Sequence, residues 1–397
     1  MTLRIAIVSD YYYPQLGGIT EHVHGQASEF TRRGHEITVV VPRPLVVPNV
    51  VDPAPPPAEF EIVRVGRAYP WYVNGSESLQ TVGLRFPVTM DRLFRKRRFD
   101  VVHVHNPFGV MLPMVGVTRS RAPVTVATLH SVVPENYRLL RTLRRPLTSL
   151  LGRLDASIAV SRAVVDSLGE YFPQLEPVVI PNGVDTSFFA PDAEPMPHLM
   201  DGKRNILFVG RFDPRNGLKH MLEAFVELRK NRSDVRLVVV GDGPLRPLLT
   251  RLIPEELEED VLFEGRVNRL RPRYLASADL FCTPCGLASF GMVLLEAMSC
   301  AVPVVATRLP GFEEVMQDGV HGLMVDEPTD TTAFAEAISQ LLDQPGLAQR
   351  LGGAGRERAM TTFSWTVVAD RLEELYSELL GETAWAGEYA TVGGLTA

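Results

Sequence analysis

Leu3-Arg4-Ile5-Ala6-Ile7-Val8 is a short apolar run, and Pro14, Gly17 and Gly18 punctuate the residues after it. Residues 19–33 can form a helix that Gly34 stops, and residues 36–41 follow as a second run in which Ile37, Val39 and Val41 alternate. Strand, glycine-containing loop, helix and strand in that order begin a parallel, doubly wound sheet, because each parallel strand needs a crossover to bring the chain back to the same edge. β-Branched runs recur at 101–104, 124–127, 157–160 and 178–180, with longer stretches between them.

The pattern then restarts. After Pro181-Asn182-Gly183-Val184-Asp185, a polar, proline-containing stretch to Arg204 reads as a linker, and a second series occupies 206–209, 236–240, 261–263, 279–281, 302–306 and 322–325. The expected fold class is therefore α/β, with two Rossmann-like domains at 1–190 and 200–363. A helix at 364–381 is expected to pack back on the first domain, and 382–397 to be a frayed, Gly-rich tail. Residues 42–57 hold seven prolines and read as an irregular loop.

The 397 residues suit two domains at roughly 100–200 residues each, and 45% hydrophobic with 22% charged residues excludes disordered and coiled-coil classes. A net charge of −7 argues against general nucleic-acid binding. Three cysteines make no disulfide framework and fit a reducing compartment. The first apolar run is too short for a signal-peptide core, and no stretch approaches the roughly 18 apolar residues of a spanning helix. A cytoplasmic protein is expected, with any membrane contact peripheral, on the inner face.

Three places could carry chemistry. Gly17-Gly18 lies between a strand and a helix N-terminus, where backbone N–H groups suit a phosphate, although a plain tight turn uses the same residues. Arg211 leaves a strand at the edge where open α/β sheets hold ligands, and its guanidinium could grip a diphosphate bidentately. Glu296 falls in the second turn of an apolar helix that begins near Gly291; a carboxylate there needs donors, and ribose hydroxyls are such donors. There is no GxGxxG and no P-loop Gly-Lys-Ser/Thr at the first turn, which disfavours ordinary NAD or ATP binding.

Taken together these segments resemble glycosyltransferase family 4, retaining enzymes with the GT-B fold of two Rossmann-like domains facing a cleft. The likeness is nearest to the phosphatidylinositol mannosyltransferase-like branch. Its carriers run from Arg4 to about Tyr376: Gly17-Gly18 with His22-Val23, Asp100-Val101-Val102-His103-Val104-His105, Ala127-Thr128-Leu129-His130, Pro181-Asn182-Gly183-Val184-Asp185, Val209-Gly210-Arg211, and Ser289-Phe290-Gly291 with Leu295-Glu296-Ala297-Met298. The resemblance implies a nucleotide diphosphate sugar as co-substrate, an alcohol acceptor, lipid-linked or a polyol, and no bound metal or other cofactor. It implies an acceptor-binding first domain and a nucleotide-sugar-binding second one. Gly17 and Gly18 would contact the donor phosphates, Arg211 would neutralise the departing diphosphate, and Glu296 would hold the ribose. Backbone amides at Phe290, Gly291 and Met292 would touch sugar and phosphates, and His130 would stand by the transferred sugar. The chain departs from the family at Ala288, where Glu is usual, and at Asn216, where Lys is usual. These departures motivate two alternatives, a silent sugar-nucleotide or lipid-binding protein and, more remotely, a nucleotide-sugar epimerase.

Other motifs compete. Cys282-Thr283-Pro284-Cys285 has no second ligand pair and reads as structural rather than redox or zinc. His103 and His105 share a strand face, yet no partner at metal spacing stands nearby. Two basic stretches in the first domain are candidates for a membrane or acceptor surface: Arg92, Arg95 and Lys96, and then Arg138, Arg141 and Arg145, which would share one face of a continuous helix.

Overall fold

The computed structural model describes residues 2–44, 50–52, 56–73, 76–107, 112–134 and 137–392. The chain divides into two compact units. The first comprises Met1–Val47, Pro57–Gly183 and Trp365–Ala397, and the second Pro48–Pro56 and Val184–Ser364.

The first unit is built on an eight-stranded sheet. Its strands are β1 (Arg4–Val8), β2 (Glu36–Pro44), β3 (Glu61–Val73), β4 (Ser76–Val82), β5 (Val101–His105), β6 (Val124–Leu129), β7 (Ala156–Ala159) and β8 (Val178–Val179), in the order β4-β3-β2-β1-β5-β6-β7-β8. Every pairing is parallel except β3 with β4. The continuous apolar character of β1, β5 and β6 follows from burial on both faces, which leaves no room for a polar alternation. Helix α1 (Gly18–Arg32) covers one face with Val23, Ala27 and Phe30, and the long helix Trp365–Val392 adds Val368, Leu372 and Tyr376 to the same core. Trp365 packs so closely that a Cβ at Gly25 would lie 2.0 Å from its indole, and one at Gly183 2.5 Å.

The second unit is a six-stranded, wholly parallel sheet. Strands β9 (Arg204–Val209), β10 (Val235–Val240), β11 (Val261–Gly265), β12 (Leu280–Thr283), β13 (Val304–Thr307) and β14 (Leu323–Val325) lie in the order β11-β10-β9-β12-β13-β14. Its core joins Ile206, Phe208, Leu237 and Val239 to Met221 and Phe225 of the helix Leu218–Arg229.

Three expectations need correction, and the edge hairpin is an addition to them. The β3–β4 hairpin was not legible, since its strands carry Gly66, Pro70 and many polar residues and form a sheet edge. The proline-rich loop belongs partly to the second unit: Asp52 accepts the N–H groups of Asn268 at 2.6 Å and Leu270 at 2.8 Å. The rest of that loop, apart from Pro42, Arg43, Pro44, Val50, Val51, Pro56 and Pro57, lies outside the described residues. The final helix continues to Val392 through most of the expected tail, whose last five residues also lie outside the described ones. The basic stretch after Arg138 is two helices, Arg138–Thr142 and Arg144–Leu151. Pro146 forces the break, because its ring and missing N–H are tolerated only in a first helical turn.

Candidate functional site

In the first unit the carboxyl ends of the strands carry the residues of interest. The strand order reverses direction between β1 and β5, the place where open parallel sheets bind ligands. Gly17 and Gly18 follow β1, are exposed, and open α1 with no side chain capping its first turn. That end therefore offers unfilled N–H groups and the positive end of the helix dipole to an anion.

His105 ends β5, His130 follows β6, and His22 projects from the second turn of α1. His105 Nδ1 lies 2.9 Å from His130 Nε2, and the His22 ring meets the rings of His105 and His130 edge-on at 5.3 and 4.8 Å. All three are buried. Burial drives the His22 imidazole down to about 3 and His103 likewise to about 3. Burial first, then neighbouring imidazoles, holds His105 and His130 well below their ordinary 6.5. The cluster is therefore neutral at physiological pH. Neither ring nitrogen of His22, nor His105 Nε2, finds a hydrogen-bond partner among the described residues.

These three histidines could hold a metal ion, since their ligand atoms lie within 4.8 Å of one another. His103, the other member of the sequence pair, is engaged elsewhere. Its Nδ1 faces the Tyr376 hydroxyl at 2.5 Å and the Gln26 amide nitrogen at 2.8 Å, and its Nε2 faces Thr128 Oγ1 at 2.6 Å. The final helix is thus tied through Tyr376 to the strand that ends in His105.

In the second unit the strand order reverses between β9 and β12. Arg211 leaves β9 there, half-exposed, with its Nη2 2.9 Å from a buried Asp213 carboxylate. The turn Pro214–Asn216 and Gly217, at φ 78°, lead into the helix Leu218–Arg229. Asn216 closes this turn by donating its side-chain amide to the Arg211 carbonyl at 2.8 Å, so it supports the arginine's backbone and supplies no charge. A side chain at Gly217 is excluded, since a Cβ would sit 1.7 Å from the Pro284 carbonyl oxygen. The Arg211 turn is laced to the loop after β12: Gly286 N–H and the Cys285 thiol both donate to the Arg215 carbonyl, at 2.7 and 3.1 Å. Burial pushes the Cys282 and Cys285 thiols up, away from the thiolate that redox or zinc chemistry needs.

That loop ends at buried Phe290 and at Gly291, whose φ of 123° turns the chain into the helix Met292–Ser299 with no side-chain cap. Arg211 follows β9, and the loop that leads to this open helix end follows β12, the two strands that flank the reversal. Glu296 is buried on the same helix and receives Arg271 Nη1, while the Arg271 guanidinium lies over the Phe189 ring at 5.2 Å.

The basic residues are exposed. On helix α2 (Phe86–Lys96), Phe86, Met90 and Phe94 are buried and Arg92, Arg95 and Lys96 face out, with Arg95 2.8 Å from Asp91. Arg138, Arg141 and Arg145 are also exposed, but on two helices, and Arg141 pairs with Glu170 at 2.6 Å. No helix among the described residues is long and apolar enough to cross a membrane.

Sequence reasoning did not single out two residues. Arg271 gave no signal, since its link to Glu296 spans 25 positions. Asp10, just past β1, is a buried carboxyl that accepts the Thr81 hydroxyl, and burial raises it to about 7; its only trace in the sequence is an acid two residues after an apolar strand.

Comparison with known proteins agrees with this geometry. Residues 16–188 match the family model described as Glycosyltransferase Family 4, and residues 203–344 the one described as Glycosyl transferases group 1. The chain is 32% identical over 397 residues to a phosphatidyl-myo-inositol mannosyltransferase of Mycobacterium tuberculosis, covering 96% of this chain and 98% of that one. It is 30% identical to a GDP-mannose-dependent alpha-(1-6)-phosphatidylinositol monomannoside mannosyltransferase of Mycolicibacterium smegmatis, covering 94% and 97%. Among solved structures, sucrose-phosphate synthase of Thermosynechococcus elongatus matches with a TM-score of 0.74 at 20% identity, covering 96% and 100%. The Anabaena HepE protein in complex with UDP-glucose matches at 0.73 and 18%, covering 95% and 100%. With two parallel α/β units, open helix ends at both strand reversals and this kinship, the chain belongs to glycosyltransferase family 4, on the branch of the phosphatidyl-myo-inositol mannosyltransferases, and is a glycosyltransferase of the GT-B fold.

Proposed function

We propose that this glycosyltransferase moves a mannosyl residue from a GDP-linked donor to a phosphatidylinositol-type lipid, with retention at the anomeric carbon and without a bound metal. The names of the relatives it matches along nearly its whole length support the donor and acceptor classes. The observation that carries the reading is that Arg211 follows β9 and the loop after β12 leads to the uncapped helix end at Gly291, β9 and β12 being the strands that flank the reversal: a cationic fork and free N–H groups suit a diphosphate.

In this reading the second unit is the donor side. Glu296 accepts the ribose hydroxyls, the amides of Phe290, Gly291 and Met292 meet phosphates and sugar, Asn216 holds the arginine turn, and Arg211 meets the charge that grows on the leaving diphosphate. The first unit is the acceptor side and lends the amides of Gly17 and Gly18 to the phosphates. The acceptor hydroxyl oxygen bonds to the anomeric carbon as the carbon–oxygen bond to the phosphate breaks. The hydroxyl proton passes to the departing phosphate oxygen on the same face. His130, kept neutral by burial, is a poor proton acceptor and acts by hydrogen bonding to the sugar. Arg92, Arg95, Lys96, Arg138, Arg141 and Arg145 give the first unit a basic face for an anionic membrane surface.

The test is transfer itself. The protein is incubated with GDP-mannose, or with UDP-sugars, and phosphatidylinositol vesicles; products are identified by mass and the new anomer by NMR. An α-mannosyl lipid formed at a rate unchanged by EDTA is expected. Nucleotide binding without any lipid product, or a β-linkage, sinks the proposal.

A further inference from the structure

At the amino ends of β1, β5 and β6 lies an open cavity of about 490 Å³ that no part of the transfer reaction uses. Its rim carries Arg4, Arg95, Arg97, Arg98 and Arg121, and Phe94 and Phe99 lie among its lining. The topology explains the convergence: Arg4 starts β1, Arg97 and Arg98 follow α2, and Arg121 lies just before β6, so parallel strands deliver all of them to one edge. That edge is opposite the one bearing Gly17, Gly18 and His130, and the five-residue strand β1 separates the two by about 16 Å.

The charges there are not balanced. Asp91 is shared by Arg95 at 2.8 Å and Arg121 at 3.3 Å, and Glu61 takes Arg97. Asp100 accepts the backbone N–H of Arg4 at 2.7 Å. Three carboxylates thus face five guanidiniums, and among the described residues the side chains of Arg4 and Arg98 have no ion-pair partner. A concave site with a surplus of two positive charges and two unengaged planar forks is complementary to a compact dianion with several acceptor oxygens. A phosphate group has that shape and charge, and arginine forks grip it bidentately.

We propose that this arginine-rimmed cavity is a second, non-catalytic binding site for a phosphorylated ligand, either a free phosphate compound or a phosphomonoester headgroup. The ligand bridges Arg4 and Arg98 and relieves the mutual repulsion of the five arginines.

Calorimetric titration of the full-length protein with pyrophosphate tests this, comparing wild type, the double variant Arg4→Gln/Arg98→Gln and Arg211→Ala. Both substituted rim side chains are exposed, so folding is expected to be preserved, and the thermal melt verifies it. Affinity should fall about tenfold or more in the double variant, lessen with added salt, and persist in Arg211→Ala. Sedimentation with phosphatidylcholine vesicles, with or without phosphatidic acid, identifies the source. Loss of phosphatidic acid binding in the double variant supports a headgroup, and equal vesicle binding supports a free phosphate compound. Equal pyrophosphate affinity in wild type and double variant, or its loss only in Arg211→Ala, overturns the proposal.

Discussion

Acidification should destabilise the first unit through its buried histidines. His22, His103, His105 and His130 are all held below the 6.5 of an ordinary imidazole, His22 and His103 at about 3, chiefly by burial. Because these folded values lie below the unfolded one, the unfolded chain takes up protons first as pH falls. Their neutral burial is then harmless above about pH 6.5 and costs stability progressively below it. At about pH 5.5 an unfolded imidazole is roughly nine-tenths protonated, so His22 and His103 each remove about 1 kcal/mol, and His105 and His130 act in the same direction. Asp10, a carboxyl of the same unit raised by burial, acts oppositely over this range, so the comparison is made in Asp10→Asn. There the melting temperature of the first unit should drop by about 4 °C or more between pH 7.5 and about 5.5.

The protein carries its own probe for this. The sequence of the second unit holds no tryptophan, and Trp365 is buried in the first, so tryptophan fluorescence reports the first unit. His22→Leu sharpens the experiment. His22 is fully buried with the Asn182 side chain beside it, and the change should remove about one proton from the acid-induced uptake. A tryptophan-detected melt that is the same at both pH values, or histidine resonances that titrate near 6.5 in the folded protein, would refute the reasoning.

Further outcomes follow from single contacts. Arg211→Ala should lower the transfer rate by about a hundredfold or more with the melt of the second unit little changed, as steady-state kinetics and calorimetry will show. Arg271→Met leaves the buried Glu296 carboxylate without its guanidinium and should destabilise the second unit by about 3–5 kcal/mol, with Arg271→Met/Glu296→Leu recovering much of the loss in the same denaturation assay. Gly217→Ala combines a left-handed backbone with a 1.7 Å approach to the Pro284 oxygen and should cost more than about 2 kcal/mol in urea unfolding. Asp10, raised by burial to about 7, makes the fold lose stability as pH rises from its unfolded 3.8 toward that value. Asp10→Asn keeps an acceptor for Thr81 and should gain on wild type by about 3 kcal/mol between pH 5 and about pH 8, measured as the difference between paired melts.

The parallel strands were legible because burial on both faces writes them as unbroken β-branched runs, β1 and β6 above all. The turns bearing Gly17, Gly18, Arg211 and Gly291 followed, since each stands where such a run ends. What escaped depends on distance along the chain. The edge hairpin β3–β4 lacks a double-sided apolar signature, and the arginine and leucine spacing around Pro146 reads as one continuous helix face although the proline breaks it. Asp52 gains meaning only from amides more than two hundred residues away. The partnership of Arg271 with Glu296, and of His22 with two strand-end histidines, likewise exists only once the sheet is closed.

The indole of Trp365, wedged against Gly25 and Gly183, has a consequence for how the molecule is made. Synthesis is vectorial, at about 5–20 residues per second, and the piece that seals the first unit emerges last. Residues 184–364, with the short segment at 48–56 already exported, form a self-sufficient set of contacts before Trp365 leaves the ribosome. The unit translated first is therefore the second to mature, and for some tens of seconds its histidine-bearing sheet waits without the helix that carries Tyr376. A nascent chain stalled just short of residue 365 should contain a native second unit beside an unfinished first one, and no single cut in the chain can release either unit whole.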